Sequence, residues 1–448
     1  MTSSGGLGYA DAVRALADRG RFGVRLGLGR TRALLRELGD PQLGLRGALV
    51  AGTNGKGSVL ALCGSALRAA GLRVGETPKP HLVTYRERLQ VDGRPIPPDV
   101  FAALASQVLP LAERVARRHG EPTEFELLTA MLFRWLADEA VDVALVEVGL
   151  GGRLDATHAW DGGVAVVTNV DLDHTDRLGT TIRAIAKEKA AIIEAGDRAV
   201  TGATGDALAV ISRRAARVGA PLVTVDPAPL LGLDRDGIVV RLPRLGETRV
   251  GLRGRHQAAN VAVAHATLDA LEAAGIAAVT DEERRAGFGA ARWPGRLELF
   301  VVGDREVLLD GAHNPAGAAS LATALDDLAP HLRAGRLTLV IAAMADKDVA
   351  GIVRALAAAT SVRGATVICT RVDLPRALEP AALAAAWSAG SAGGRVLVEP
   401  DPAAALARAV REPGGPIVVA GSLYLVGAVR ALLVDDPLLR DPSPVAAS

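Results

Sequence analysis

The sequence predicts an α/β protein with mainly parallel sheet, divided over two domains, and three observations carry that prediction. Apolar strand-like runs alternate with helical patterns through the first half of the chain. A glycine-rich turn separates the first such run from an alanine-rich amphipathic one. After Arg292-Trp293-Pro294-Gly295-Arg296 a fresh alternation begins. A chain of 448 residues exceeds one ordinary core, so two domains are expected, a larger one over 1–296 and a smaller α/β one over 297–448.

Taken in order, strands are expected at 48–51, 143–148, 164–170, 199–201 and 222–225. The runs 238–242 and 248–252 flank a Pro/Gly-containing connection and read as a hairpin, followed by a helix from about 257 to 274. In the second domain the expected strands are 297–301, 306–309, 337–342, 365–369, 396–398 and 417–420. The tail after Asp436, rich in Pro, Ser and Ala, reads as frayed. Abundant Ala, Val and Leu with 3% aromatics suits buried parallel strands covered by alanine-rich helices.

Composition limits the partners. With 51 basic and 50 acidic residues the formal net charge is +1, which offers no electrostatic footprint for nucleic acid or an anionic membrane. Cys63 and Cys369 lie far apart without metal spacing, so neither a disulfide framework nor a zinc site is suggested. The N-terminus lacks a basic segment followed by an apolar one, and no run is apolar for long enough to span a bilayer. A cytoplasmic protein acting on small molecules is expected.

The most informative stretch is Ala51-Gly52-Thr53-Asn54-Gly55-Lys56-Gly57-Ser58. Three glycines within six residues let backbone N–H groups turn inward, the following helix adds partial positive charge, and Lys56 adds a full one. Such a turn holds polyphosphate, so a nucleotide is the natural ligand. Its spacing departs from the usual G-x-x-x-x-G-K-[ST], because Gly57 follows the lysine and the hydroxyl comes one residue later at Ser58.

Four further features carry chemistry. Glu147 closes a hydrophobic strand and needs a positive partner, either Mg²⁺ beside phosphates or a structural Arg or Lys. Just beyond it, Arg153 and Asp155 could grip a polar substrate. His174 lies past the end of another strand, at the sheet edge where open α/β sheets bind ligands. On a helix expected over 181–194, Lys189 shares the apolar stripe with Ile182, Ile185, Ala186, Ala190 and Ile193, while Lys187, Glu188 and Glu194 face outward. A lysine on a buried face must be paired, deprotonated or modified; a neutral amine can take up CO₂ as a carbamate, but from the residues alone an ordinary salt bridge is the default. Finally, in Leu309-Asp310-Gly311-Ala312-His313-Asn314-Pro315, Asn314 can cap a helix and Asp310 can serve a turn, which leaves His313 unexplained.

Segments 52–58, 147–157, 173–176, 187–190, 293–296 and 310–315 together resemble the folylpolyglutamate synthase/dihydrofolate synthase family of the Mur ligase superfamily, in order and nearly end to end. The resemblance implies a Mur-ligase-like P-loop ATPase domain followed by a Rossmann-like α/β domain. It implies an ATP-dependent ligase that adds L-glutamate to dihydropteroate and/or the γ-carboxylate of (tetrahydro)folates through an acyl phosphate. Thr53, Asn54, Gly55, Lys56, Gly57 and Ser58, with Asn260, Arg296, Asp310 and His313, would then contact the nucleotide. Ser58, Glu147, His174 and a carbamylated Lys189 would serve two Mg²⁺ sites, and Lys56, Lys189 and His174 would be the catalytic set. Leu28, Thr123, Glu124, Phe125, Glu126, Arg153 and Asp155 would meet the pterin substrate. A monomer is expected. The alternative is a Mur-type amino acid ligase acting on a cell-wall precursor. One departure stands out: the family's Ser-Pro-His-Leu reads Lys79-Pro80-His81-Leu82 here, and a cation cannot ligate Mg²⁺.

Overall fold

A computed structural model describes residues 6–20, 25–390 and 393–442. The chain divides into two compact units. The first takes the chain up to Pro227, Ala259–Phe288 and the segment from Pro437; the second takes Ala228–Ala258 and Gly289–Asp436. Among the described residues no helix is long and apolar enough to cross a membrane.

In the first unit, helices α1 (Tyr9–Arg19) and α2 (Gly29–Glu37) precede strand β1 (Gly47–Ala51) and helix α3 (Lys56–Ala69). Next come β2 (Val74–Thr77), the short strands β3 (Gln90–Val91) and β4 (Arg94–Pro95), α4 (Pro98–His119), α5 (Glu124–Asp138) and β5 (Val143–Glu147). The series continues with β6 (Gly163–Val167), α6 (Thr175–Leu178), α7 (Ile182–Ala190), β7 (Arg198–Thr201), α8 (Gly205–Val218) and β8 (Leu222–Thr224). Eight strands form one sheet in the order β4-β3-β2-β5-β1-β6-β7-β8, parallel from β2 to β8. Strand β1 lies at its centre with all five residues buried, as expected of a parallel strand covered on both faces. It pairs with β5 and β6 so that Val50 stands opposite both Glu147 and Val166. That register carries the turn after β1 and the end of β5 to the same sheet edge.

The second unit holds two sheets. Strands β9 (Leu230–Asp234), β10 (Gly237–Leu242) and β11 (Gly246–Val250) form an antiparallel meander, and helix α9 (Gln257–Ala273) leads from it back into the first unit. Helix α10 (Asp281–Ala290) follows. The other sheet combines β12 (Glu298–Val302), β13 (Arg305–Leu309), β14 (Thr338–Ile341), β15 (Thr366–Cys369), β16 (Arg395–Val398) and β17 (Ile417–Ala420) in the order β12-β13-β17-β14-β15-β16, parallel except at β12. Helices α11 (Pro315–Leu328), α12 (Val349–Ala357), α13 (Pro380–Gly390), α14 (Pro402–Arg411) and α15 (Leu423–Leu433) connect them. Asn314, Asp348 and Asp401 start α11, α12 and α14 by accepting from backbone N–H groups in their first turns.

Several details differ from the sequence expectation. The hairpin over 238–252 gains β9 as a third strand, and its sheet belongs with residues 289–436, to which Arg235 is tied by an ion pair with Glu306 at 3.2 Å. Strand β2 escapes the pattern because Glu76 sits inside it, buried against Arg68 at 2.5 Å. Strand β6 stops at Val167, short of 170, because Thr168 and Asn169 leave the sheet to bond the glycine-rich turn. Helix α7 ends at Ala190, short of 194, where Ile192 and Ile193 turn into the core and Asp197 accepts from the Glu194 amide. The tail expected to fray instead makes defined contacts as far as Asp441, and its residues 443–448 lie outside the described ones.

Gly287 of α10 packs so closely on α3 that an added Cβ would overlap the backbone of Ala66, which makes this helix contact a support for the helix that begins at Lys56. Gly287→Ala should therefore destabilise by roughly 2 kcal/mol through overpacking. Gly289→Ala, whose nearest neighbour would be the Arg249 carbonyl at 3.8 Å, should be close to neutral. Thermal melts of the two variants check the difference; equal melting temperatures would remove the helix contact as the constraint.

Candidate active site

The glycine-rich turn between β1 and α3 is built by its neighbours. Thr53 N donates to the Asn169 carbonyl, Asn54 N to Asn169 Oδ1 at 2.9 Å, and Thr168 Oγ1 to the Asn54 carbonyl at 2.6 Å. Thr53 Oγ1 also accepts from the Asp171 amide at 2.9 Å. Glycine is required at 52, where φ is +156° and a Cβ would overlap Thr168 Oγ1. It is required equally at 55, where φ is +82° and a Cβ would overlap Asn260 Oδ1. Gly55 is the N-cap of α3, so Lys56, Gly57 and Ser58 form the helix's first turn, with N–H groups and dipole directed at the turn. The expected nucleotide contacts 53–58 and Asn260 are thus brought together.

Two lysines converge on one carbonyl here. Lys56 Nζ donates to Gly52 O at 3.0 Å and Thr53 O at 3.2 Å, and Lys189 Nζ donates to the same Gly52 O at 2.9 Å. Thr181 caps α7 by accepting from Ala184 N, and the helix sets Lys189 5% exposed on its apolar face, as the stripe predicts. Lys187 is exposed; Glu188 is half-buried and pairs with Arg153 at 3.0 Å. Burial lowers the Lys189 amine to about 7, with the Lys56 charge pushing the same way and Asp173 and Asp155 opposing.

Glu147, at the C-terminal end of β5, is 4% exposed. It lies 3.9 Å from Lys56 Nζ and accepts from the Lys79 amide at 3.2 Å, while Lys79 Nζ donates to the Glu147 carbonyl at 2.6 Å. Lys79 also sits 4.3 Å above the Phe125 ring. Burial lowers its ammonium to about 8, against the pull of Asp155 and Glu147. Both sequence readings of Glu147 therefore meet in one place: lysines attend it, and its carboxylate stands beside the phosphate-type turn.

Among the described residues no group of three or more His, Cys, Asp or Glu side chains is arranged to hold a metal ion. Mg²⁺ takes oxygen donors and needs few from the protein when phosphates supply the rest, and the Glu147 carboxylate and the Ser58 hydroxyl, both on buried residues, are donors of that kind. His174 is the N-cap of α6 with φ +49°, half-exposed, its Nε2 3.9 Å from Asp173 Oδ2.

The expected substrate contacts divide into two groups. Thr123 and Glu126 form the capping box of α5: Glu126 N donates to Thr123 Oγ1, Thr123 N donates to Glu126 Oε2, and Arg30 holds the Glu126 carboxylate at 3.0 Å. Leu28 is the N-cap of α2. Asp155 is fully engaged in its own loop, accepting from Leu150 N, Thr157 N and Thr157 Oγ1. Phe125, Glu124 and Arg153 keep part of their surface exposed, with Glu124 paired to Arg88 at 3.5 Å. Sequence reasoning assigned no role to the group that follows Lys79 in the chain: Arg88 Nε donates to His81 Nδ1 at 2.8 Å, and His81 packs on Tyr85 with ring centroids 4.5 Å apart. Burial and the Arg88 charge lower the His81 imidazole to about 3, so it is neutral at physiological pH. The lysine standing at 79 where the family has serine was the available signal.

In the second unit, Asp310 accepts from Leu297 N at 3.0 Å and Ala312 N at 2.9 Å, so it organises the turn after β13. Asn314 Oδ1 accepts from Gly317 N at 2.7 Å as the N-cap of α11, and His313 Nδ1 lies 2.7 Å from the Gly311 carbonyl. Arg296 packs against Gly311, where a Cβ would overlap its guanidinium. Arg296, Asp310 and His313 therefore share one turn. The half-buried His256, also absent from the sequence reading, feels the charges of Asp310 and Arg296.

Comparison with known proteins gives this arrangement its relatives. The Mur ligase middle domain model matches residues 50–268 and the Mur ligase glutamate ligase domain model matches 295–423. The chain is 34% identical over 438 residues to the dihydrofolate synthase/folylpolyglutamate synthase of Bacillus subtilis, covering 95% of this chain and 99% of that protein. It is 38% identical to the probable bifunctional folylpolyglutamate synthase/dihydropteroate synthase of Haloferax volcanii, covering 94% of this chain and spanning 50% of that longer relative. Crystal structures of Mycobacterium tuberculosis folylpolyglutamate synthase complexed with ADP and AMPPCP superpose with a TM-score of 0.85 at 34% identity, covering 96% of this chain and 100% of that one. The chain belongs to the folylpolyglutamate synthase/dihydrofolate synthase family of Mur ligases.

Proposed function

We propose that the protein is an ATP-dependent ligase that adds L-glutamate to dihydropteroate and/or to the γ-carboxylate of tetrahydrofolates through an acyl phosphate. The observation that carries this reading is the convergence of Lys56 and Lys189 on the Gly52 carbonyl, beside the buried Glu147 carboxylate and the first turn of α3. A cell-wall ligase is the less favoured reading, since the B. subtilis and M. tuberculosis relatives carry folate-ligase names. We assign ATP binding to the first unit and glutamate ligation to the second, so that residues 228–258 and 289–296 of the expected 1–296 domain go with the second unit and the segment from Pro437 with the first, and we take the enzyme as a cytoplasmic monomer.

In this reading the N–H groups at 55–58 and the Lys56 ammonium receive the β- and γ-phosphates. A substrate carboxylate oxygen attacks the γ-phosphorus and ADP departs. The glutamate amine then attacks the acyl carbon, loses a proton, and phosphate leaves. Glu147 and Ser58 would hold Mg²⁺ at the phosphates, which supplies charge neutralisation for the attack of one anion on another. His174 and a carbamylated Lys189 would serve a second ion. Asn260, Arg296, Asp310 and His313 are assigned to the nucleotide, and Leu28, Thr123, Glu124, Phe125, Glu126, Arg153 and Asp155 to the pterin side. The carbamate forms when the neutral Nζ attacks CO₂ and releases a proton, a reaction open to an amine lowered to about 7.

The deciding experiment is phosphate release with dihydropteroate and tetrahydrofolate supplied separately, each with and without glutamate. Release only when acceptor and glutamate are both present supports the assignment; release with neither acceptor, or with a cell-wall precursor alone, overturns it. Lys56→Ala should lose at least about 100-fold in turnover while its melting temperature is unchanged, because the ammonium acts on phosphate charge and not on the core.

Lys79→Ser separates two roles. If the buried ammonium shares the charge work at Glu147, the variant should require several-fold more Mg²⁺ or ATP; identical titrations would make Lys79 a packing residue. For Lys189, intact mass in bicarbonate should show a carboxylate adduct that grows as pH rises through about 7, since the neutral amine is the reactive form. Lys189→Arg keeps a cation but cannot readily form the carbamate. Wild-type turnover in that variant would leave only an ion-pair role.

A further inference from the structure

We propose that the C-terminal segment from Pro437 to Asp441 is a positioning clamp for the loop that presents Lys79 to Glu147; the kinetic part of this inference rests on the ligase reading above. After Asp436 the chain rejoins the first unit. There Arg86, 3% exposed, uses nearly its whole guanidinium on this segment: Nη2 donates to the Leu438 carbonyl at 2.8 Å and the Arg440 carbonyl at 2.9 Å, and Nε donates to Asp441 Oδ1 at 3.3 Å. Nη1 ties the same group to the Ile96 carbonyl at 3.1 Å. Thr84, 1% exposed, donates from Oγ1 to Asp441 Oδ1 at 2.6 Å, with the Tyr9 hydroxyl 3.2 Å away.

The contact continues from Thr84 and Arg86 toward the site. The Glu87 carboxylate accepts from the amides of Leu82, Val83 and Thr84 at 3.1, 2.7 and 2.8 Å, which makes residues 82–87 one hydrogen-bonded body. His81, at the front of that body, is held by Arg88 and stacked on Tyr85. Lys79, two residues earlier, grips Glu147 through both its amide and its ammonium and covers Phe125. Asp441 and the Leu438 and Arg440 carbonyls thus hold the back of a body whose front bears the side chains at Glu147. A buried arginine satisfied in this way is rigid only while the segment stays docked, because undocking leaves Nε and Nη2 without these acceptors and only Nη1 held, by Ile96. Arg86, Thr84 and Asp441 are accordingly positioning residues: they act on substrate through Lys79, His81 and Phe125.

The test compares the full chain with Asp441→Ala, Asp441→Asn and a chain ending at Asp436. Hydrogen exchange in the absence of ligands should quicken about ten-fold or more at the amides of 82–84 in Asp441→Ala and in the shortened chain, while β13, β14 and β17 keep their rates. Asp441→Asn, which retains the Oδ1 acceptor, should exchange like the parent. In steady-state assays Asp441→Ala should raise KM for the pteroate or folate acceptor about five-fold with kcat within two-fold. Unchanged exchange at 82–84, or loosening spread evenly over both units, overturns the clamp. If the shortened chain fails to fold, the Asp441→Ala and Asp441→Asn pair decides. If the parent protein ligates neither acceptor, the ligase reading fails and the exchange measurement alone decides the clamp.

Discussion

The Gly52 carbonyl is the point on which the rest of the site depends. It receives hydrogen bonds from the Lys56 and Lys189 ammonium groups, and its α-carbon can carry no side chain without striking Thr168. Lys189 has this carbonyl dipole as its hydrogen-bond acceptor and burial acts strongly on it, whereas Lys56 also donates to the Thr53 carbonyl and lies 3.9 Å from Glu147. Strand β1 delivers that carbonyl, β6 holds the turn through Thr168 and Asn169, and α7 delivers the second lysine.

Charge at the end of β5 follows the same logic. Glu147 would be expensive to bury alone, and Lys56 and Lys79 both attend it. Lys79 is itself half-buried, lowered to about 8, and held by a carbonyl, an aromatic face and the fields of Asp155 and Glu147. Lys56, Lys79, Lys189 and Arg88 face the carboxylates of Glu147, Asp155, Asp173 and Glu124, so cations and anions are matched in number here, and burial weakens the charge of Lys79 and Lys189.

Residues that the family resemblance names as substrate contacts do architectural work as well. The Thr123–Glu126 capping box fixes where α5 starts and thereby where Phe125 lies beneath Lys79. Asp155 closes the glycine-rich loop after Glu147, which sets the backbone of Arg153 against Glu188 on the helix that bears Lys189.

The sequence by itself determined the alternation of strands and helices, the glycine-rich turn and the burial of Lys189, because hydrophobic period and positive-φ glycines are local properties. Its errors were local competitions lost to tertiary contacts. Strand β2 was hidden by a glutamate that Arg68 makes tolerable, and β6 and α7 ended early where their next residues found partners elsewhere. Only the tertiary structure decided which groups meet: that Lys189, 137 residues from Gly52, shares its carbonyl with Lys56; that Lys79 clamps Glu147; and that a tail with frayed composition docks on Arg86. Those pairings depend on strand order and register, which bring distant segments to one sheet edge, and no window of sequence contains that information.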